Sequence, residues 1–200
     1  PEETALTLTL GNFTVSDSDN SYPTGFTLTV ADGANYSRTG NTITPALNFN
    51  GTLTVPVTVN DGMDTSTSFN ASVSVTAVND APVITGQNAV STPEDTARTI
   101  VFGDLLVTDV DNTYPTGFSL TVGDGANYTH VGNTITPASN FNGTLTVPVT
   151  VNDGAADSNT YNLSVTVTAV NDAPVITGQN TVSTPEDVPR AIAFTDLVVT

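Results

Sequence analysis

The chain has 200 residues, 38% of them hydrophobic, with a mean hydropathy of +0.02, so it carries enough apolar side chain to build cores. Twenty acids stand against three arginines and no lysine, and the net charge of −17 would repel a phosphate backbone, which excludes nucleic-acid binding. No apolar run approaches the roughly 18 residues of a membrane span, so no membrane insertion is expected in this segment, and the N-terminus is not a signal peptide. The absence of cysteine removes disulfides and zinc-thiolate sites, while abundant carboxylate points instead to a hard cation as a staple.

An internal repeat dominates the sequence. Pro1-Glu2-Glu3 returns as Pro93-Glu94-Asp95 and again as Pro185-Glu186-Asp187. Residues 1–92 lie on 93–184 without a gap, with 66 of 92 positions identical. The segment Asn79 to Asn88 returns unchanged as Asn171 to Asn180. A third copy starts at Pro185 and reaches Thr200, so the chain is expected to be a window on a longer tandem array. Ala-Val-Asn-Asp-Ala-Pro has the composition of a linker. Division there predicts residues 1–80 as a repeat lacking its first strand, 81–172 as a complete repeat, and 173–200 as the opening of a third.

Within the complete repeat, strands are predicted near 82–86, 97–108, 116–122, 126–131, 133–137, 144–152 and 161–168. Thr144-Leu145-Thr146-Val147 alternates polar and apolar residues, as does Thr52-Leu53-Thr54-Val55 in the first copy. Threonine supplies 38 of the 200 residues, and its β-branched side chain suits a pleated, half-buried surface. Turns are signalled at Asp32-Gly33, Asn50-Gly51 and Asp61-Gly62 and at their counterparts Asp124-Gly125, Asn142-Gly143 and Asp153-Gly154. No segment carries a 3.6-residue apolar period, so no α-helix longer than a turn or two is expected. About seven short strands per repeat predict an all-β fold of tandem antiparallel β-sandwiches arranged end to end. Pro56 and Pro148 fall in mid-strand, which predicts an edge strand or a bulge there.

The Asp-x-Asp pairs Asp17/Asp19 and Asp109/Asp111 each end an apolar run and enter a Tyr-Pro turn. Two carboxylates about 4 Å apart repel by roughly 4 kcal/mol at an effective dielectric near 20, which a cation between them would relieve. Oxygen-only ligands favour Ca²⁺ over softer metals, although Asp is also a common turn former.

Val-Asn-Asp-Ala-Pro, Pro-Glu-Asp, Val-Thr-Asp-Val-Asp and Val-Thr-Val-Asn-Asp-Gly, in this order and at a fixed period, resemble the cadherin-like bacterial surface repeats, also called tandem-95 or Ig-like adhesin repeats. Such repeats recur in large exported proteins of the RTX-adhesin and biofilm-associated type. The resemblance implies Greek-key sandwiches and calcium between successive repeats. It implies a metal site of Glu2, Asn79, Asp80, Asp109, Asp111 and Asp153, with incomplete counterparts at Asp17, Asp19 and Asp61 and at Glu94, Asn171 and Asp172. The first linker Asp of cadherins is Ala77 or Ala169 here, the Asn after Asn-Asp is missing, and Asn140-Phe141-Asn142-Gly143 lacks an acid. One or two Ca²⁺ per junction are therefore expected. The resemblance further implies an extracellular or cell-surface location and a role as structural extender supporting adhesion or biofilm formation. Partners are neighbouring repeats, with homotypic strand addition as a further expectation because residues 1–80 lack a counterpart of Pro82–Gly86.

Carbohydrate binding or homophilic recognition is the alternative, with Tyr22, Tyr36, Tyr114 and Tyr128 as candidate aromatics. His130, the only histidine, aligns with Arg38 and is read as a surface strand residue. No constellation of residues suggests catalysis, and the chain is not expected to be an enzyme.

Overall fold

The computed structural model describes residues 1–200 and is all-β, with only three single-turn 3-10 helices, at Leu10–Asn12, Phe102–Asp104 and Phe194–Asp196. The first copy of the repeat forms β1 (Leu6–Thr7), β2 (Thr27–Val30), β3 (Tyr36–Thr39), β4 (Thr42–Pro45), β5 (Gly51–Asn60) and β6 (Phe69–Val75). The second forms β7 (Val83–Gln87), β8 (Val90–Pro93), β9 (Arg98–Thr99), β10 (Leu105–Thr108), β11 (Ser119–Val122), β12 (Tyr128–Val131), β13 (Thr134–Pro137), β14 (Gly143–Asn152) and β15 (Tyr161–Thr168). The last residues add β16 (Ile176–Gln179) and β17 (Leu197–Val199), which pair with one another. The chain makes two compact units. One comprises Pro1–Val83, Val107–Phe118 and Asn152–Ser158, and the other Ile84–Leu106, Ser119–Val151 and Asn159–Thr200.

In the first copy the sheets run β2-β5-β6 and β1-β4-β3. Alternation on β5 turns Leu53, Val55 and Val57 inward, where they meet Val30 of β2, Ala71 and Val75 of β6 and Ile43 of the facing sheet. The core of this sandwich is thus supplied by strands whose outward residues are mostly threonine and serine, as a period of two requires. The second copy repeats the scheme with β11-β14-β15-β8 and β12-β13-β9, and with β7 paired to β10. Leu145, Val147, Val149 and Val151 of β14 are all buried, as are Leu163, Val165 and Val167 of β15. Leu145 is only 1% exposed, so Leu145→Ala is expected to cost about 2–5 kcal/mol in denaturant unfolding. Val131→Ala, at an 87% exposed site, should change stability by less than about 0.5 kcal/mol.

Three expectations are corrected. The run 97–108 is not one strand: it breaks into β9, a 3-10 turn and β10. Asp104 is the cause. Its carboxylate is 6% exposed, accepts the Val101 N–H at 2.8 Å and pairs with Arg98 at 2.8 Å, pulling the chain into a turn. Arg190 and Asp196 repeat this pair in the third copy, whereas Asn12 replaces the acid in the first and accepts the Thr9 N–H instead. The second correction concerns β8, absent from the strands read in the sequence. It runs parallel to β15, whereas β14 with β15 and β12 with β13 pair antiparallel. With one apolar residue in Val-Ser-Thr-Pro it carries little periodic signal, yet Val90 and Thr92 are buried and the Thr92 hydroxyl donates to the Thr96 carbonyl.

The third correction is that β5 and β14, which hold Pro56 and Pro148, are central strands without a bulge at the proline. Pro56 lies opposite Asn70 of β6, and β2 ends at Val30 opposite Val57. The Pro56 carbonyl accepts the Ala31 N–H at 2.9 Å, so the missing proline donor faces the point where the neighbouring strand has just ended. Pro148 does the same with Gly123 at 2.8 Å. A central strand tolerates proline when its unpaired position coincides with the end of a neighbour.

Candidate metal centre

The Pro-Glu glutamates are the most buried acids of the proposed site. Glu2 is 5% exposed and Glu94 6% exposed. Glu2 donates its N–H to the Thr76 carbonyl at 3.0 Å, and its Oε1 accepts the Val78 N–H at 2.5 Å. Glu94 repeats both bonds, with Thr168 at 2.9 Å and Val170 at 2.5 Å, and its Oε2 accepts from Asn142 at 3.4 Å. Each glutamate therefore grips the chain just ahead of an Asn-Asp linker. The next residue takes a positive φ, 57° at both Glu3 and Asp95, and its carboxylate accepts the amide of Asn48 or Asn140. The sequence marked Glu2 and Glu94 as candidate ligands; that they also anchor the linker backbone left no sequence signal.

The linker meets the acidic loops directly behind this anchor. Asn79, Asp80, Asp109, Asp111, Asp153 and Glu2 all belong to the same compact unit. Asp109 Oδ1 accepts the N–H groups of Asp111 at 2.8 Å and Asn112 at 2.7 Å, an Asx turn that sets the direction of the Asp-x-Asp segment. Asp111 Oδ2 accepts the Asp80 N–H at 2.7 Å. Asn79 lies between two loops: its Nδ2 donates to Asp153 Oδ2 at 2.8 Å and its Oδ1 accepts from Asn112 at 3.3 Å. Asp153 Oδ1 in turn accepts the N–H groups of Ala155 and Ala156, each at 2.7 Å.

The first copy builds the same loops. Asp17 Oδ1 holds Asp19 and Asn20, each at 2.8 Å, and Asp61 Oδ1 holds Met63 and Asp64, each at 2.8 Å. Asn20 bonds Asp61 directly at 3.1 Å, where in the second copy Asn79 intervenes between Asn112 and Asp153. Asp17 and Asp19 are exposed, while Asp109 is half-buried. Asn171 and Asp172 are exposed, with Asn171 donating only to the Asp172 carbonyl.

Charge accumulates at the linker. Burial raises the Asp80 carboxyl above its ordinary range, and repulsion from Glu3, Asp111, Glu2 and Asp109 adds to the rise. Asp153 moves down because the Ala156 amide, the Asn79 side chain and the Ala155 amide hydrogen-bond its ionised form. Asp61 moves down for the same reason, held chiefly by the Asp64 and Met63 amides. These shifts act oppositely on stability. The Asp153 and Asp61 contributions are present above their unfolded value, near 3.8, and are lost as pH falls through their lower folded values. The Asp80 penalty is present at neutral pH and is relieved as pH falls through its raised folded value toward 3.8. A carboxyl-carbon NMR titration in chelator should find Asp80 titrating above Asp153; the reverse order would contradict this electrostatic description.

One atom bears directly on a cation. Asp109 Oδ2 is buried and has no hydrogen-bond partner. An ionised oxygen withdrawn from water without a donor is costly, and a cation is the partner that carboxylate lone pairs can use. Oxygen donors of Asp109, Asp111, Asp80, Asp153 and Glu2, with mutual repulsion centred on Asp80, fit a hard divalent ion. No group of three or more His, Cys, Asp or Glu side chains is already arranged to hold a metal ion.

The other residues singled out in the sequence have structural partners. His130 Nε2 lies 3.2 Å from Asp124 Oδ1, as Arg38 lies 2.8 Å from Asp32 in the first copy. Tyr128 is buried and donates to the Gly123 carbonyl at 2.6 Å, while Tyr36 donates to Ala31 at 2.7 Å. Gly125 is required beneath Tyr128, since a Cβ there would stand 2.6 Å from the ring and 2.9 Å from the Thr146 carbonyl. Tyr22 and Tyr114 pack edge-on against Phe26 and Phe118 at 5.2 Å.

Residues 78–168 match the cadherin-like domain family. No curated protein matches the chain by sequence. Similar solved structures include the extracellular domain of Protocadherin GammaB4, at 16% identity and a TM-score of 0.41 over 88% of this chain and 34% of that one. Domains 4–9 of the surface layer protein SbsC match at 16% identity and a TM-score of 0.28, over 82% of this chain and 25% of that one. Tandem Ig repeats of Dlar match at 11% identity and a TM-score of 0.25, over 72% and 84%. The chain thus spans about a third and a quarter of the first two.

Proposed function

We propose that the chain is a run of calcium-stabilised structural repeats from a large secreted or cell-surface bacterial adhesin of the RTX or biofilm-associated type. Its work is mechanical: it spans distance and holds an adhesive part away from the cell. The observation that carries the reading is the partnerless, buried Asp109 Oδ2, in the same compact unit as the linker residues Asn79 and Asp80 and near enough for its charge to act on the Asp80 carboxyl.

Glu2, Asn79, Asp80, Asp109, Asp111 and Asp153 would hold the ion. Calcium would supply two positive charges shared among oxygens from the loops and the linker. The chain prepares the site by itself: Glu2 pins the backbone at Val78, Asn79 ties the linker to Asp153, and Asp109 fixes its own turn. Each of these bonds shortens the list of conformations the linker can adopt. Weak sites of this sort suit the millimolar calcium outside cells. Melting with excess calcium against chelator tests the reading. A rise of about 5 °C or more is expected, from roughly 2.7 kcal/mol at a hundredfold excess over the dissociation constant. An unchanged melting temperature would reject it.

A further inference from the structure

We propose that Asn142-Gly143 is a self-modifying site: Asn142 converts without an enzyme to aspartate and isoaspartate, and the conversion releases the anchor that Glu94 places on the linker. The proposal concerns the chain's own chemistry and is independent of calcium.

Asn-Gly occurs twice in the chain, at Asn50-Gly51 and Asn142-Gly143. Each stands at the entry to the long central strand of its copy, where the turn fixes the glycine. Gly143 has a φ of 135° and Gly51 a φ of 123°, in a region that residues with a β-carbon rarely adopt. The same lack of a β-carbon leaves the glycine nitrogen unshielded toward the preceding side chain. Asn142 and Gly143 are both exposed, so water reaches the side-chain amide and the nitrogen. Asn140, by contrast, precedes Phe141, whose β-carbon stands beside the corresponding nitrogen.

The reaction needs only water. The Gly143 nitrogen, its proton taken by hydroxide, attacks Asn142 Cγ. The new C–N bond closes a succinimide ring as the Cγ–Nδ2 bond breaks, and Nδ2 takes protons from water and leaves as ammonia. Water then adds to one of the two ring carbonyls. Opening at Cγ gives aspartate with its normal backbone. Opening at the main-chain carbonyl of the same residue gives isoaspartate, whose backbone runs through Cγ. In both cases the net change is amide plus water to carboxylate plus ammonium.

Either product acts on the same contact. Asn142 Nδ2 donates to Glu94 Oε2 at 3.4 Å, while Glu94 Oε1 accepts the Val170 N–H and the Glu94 N–H donates to the Thr168 carbonyl. Glu94 is 6% exposed, so its carboxylate has little water to replace a lost donor. Aspartate exchanges that donor for a like charge. Isoaspartate also adds a backbone atom directly ahead of Gly143, which pairs with Val167 of β15. Repulsion and shifted pairing both loosen the segment from Thr168 to Val170 that leads into Asn171.

The test ages the wild-type chain for days in chelator at mildly alkaline pH, then applies peptide mass mapping and labelling by an isoaspartate-specific methyltransferase. Fragmentation should place the mass gain and the label at Asn142 rather than Asn140. Hydrogen exchange at Val170 should be at least about threefold faster in the aged chain than in fresh protein. Asn142→Gln keeps the amide but cyclises far more slowly through a larger ring, so Val170 should keep its protection on ageing although Asn50 still converts. Asn142→Asp should show the faster exchange without ageing. An unconverted Asn142, a converted one with unchanged Val170 exchange, or the same loss of protection in aged Asn142→Gln would each overturn the proposal.

Discussion

Asp111→Asn is expected to remove most of the thermal gain from calcium, while Asp19→Asn leaves it near the wild-type value of about 5–10 °C. The two residues occupy the same position of the repeat but have different neighbours. Asp111 Oδ2 accepts the Asp80 amide, and Asp111 is among the charges that raise the Asp80 carboxyl. Asp19 is exposed and accepts only from the adjacent Ser18 hydroxyl. Asparagine keeps an oxygen for the Asp80 amide, so melting in chelator should change little and could gain from lost repulsion. What asparagine loses is charge, the property a divalent ion needs. Equal calcium responses in both variants would place the metal effect elsewhere.

Glu94→Ala is expected to destabilise by about 2–4 kcal/mol, measured by denaturant unfolding in chelator. The carboxylate is 6% exposed and accepts the Val170 amide and the Asn142 side chain. Truncation leaves a buried N–H without an acceptor and removes a charge-assisted bond, which are separate costs. Glu94→Gln keeps an acceptor and should cost only about 1 kcal/mol. Since the bonded amide lies one residue before Asn171, hydrogen exchange at Val170 should accelerate in Glu94→Ala beyond what the global loss explains. Equal protection of Val170 in wild type and Glu94→Ala would show that the glutamate does not anchor the linker.

The long central strands β5 and β14 were legible because their alternation sets threonine on the outward face and leucine and valine on the inward one, and the Asp-Gly and Asn-Gly turns bracket them. The prolines misled because a missing donor matters only relative to the neighbouring strand's length, which local sequence does not encode. The split of 97–108 follows from the Asp104 side chain accepting the Val101 N–H three residues earlier, as Asn12 accepts that of Thr9 in the first copy, a local bond that looks like an ordinary polar residue until the chain turns. Of the proposed site, Asp109 and Asp111 stood out by spacing and repetition, and Asp153 through the resemblance alone. The insertion of Asn79 between Asn112 and Asp153 did not, because it joins segments 33 and 74 residues apart. The backbone-anchoring role of Glu2 was equally silent, since burial of a glutamate after proline follows from the path of the linker.

The most direct test of the calcium reading is a calcium titration followed by backbone amide NMR on the wild-type chain. The account predicts saturable shifts, in the range of about 0.1–1 mM calcium, concentrated at Val78 to Asp80, Asp109 to Asn112 and Asp153 to Ala156. Asp17 to Asn20 should move much less. Shifts spread evenly over the acidic residues of the chain, or none at all in these segments, would contradict it.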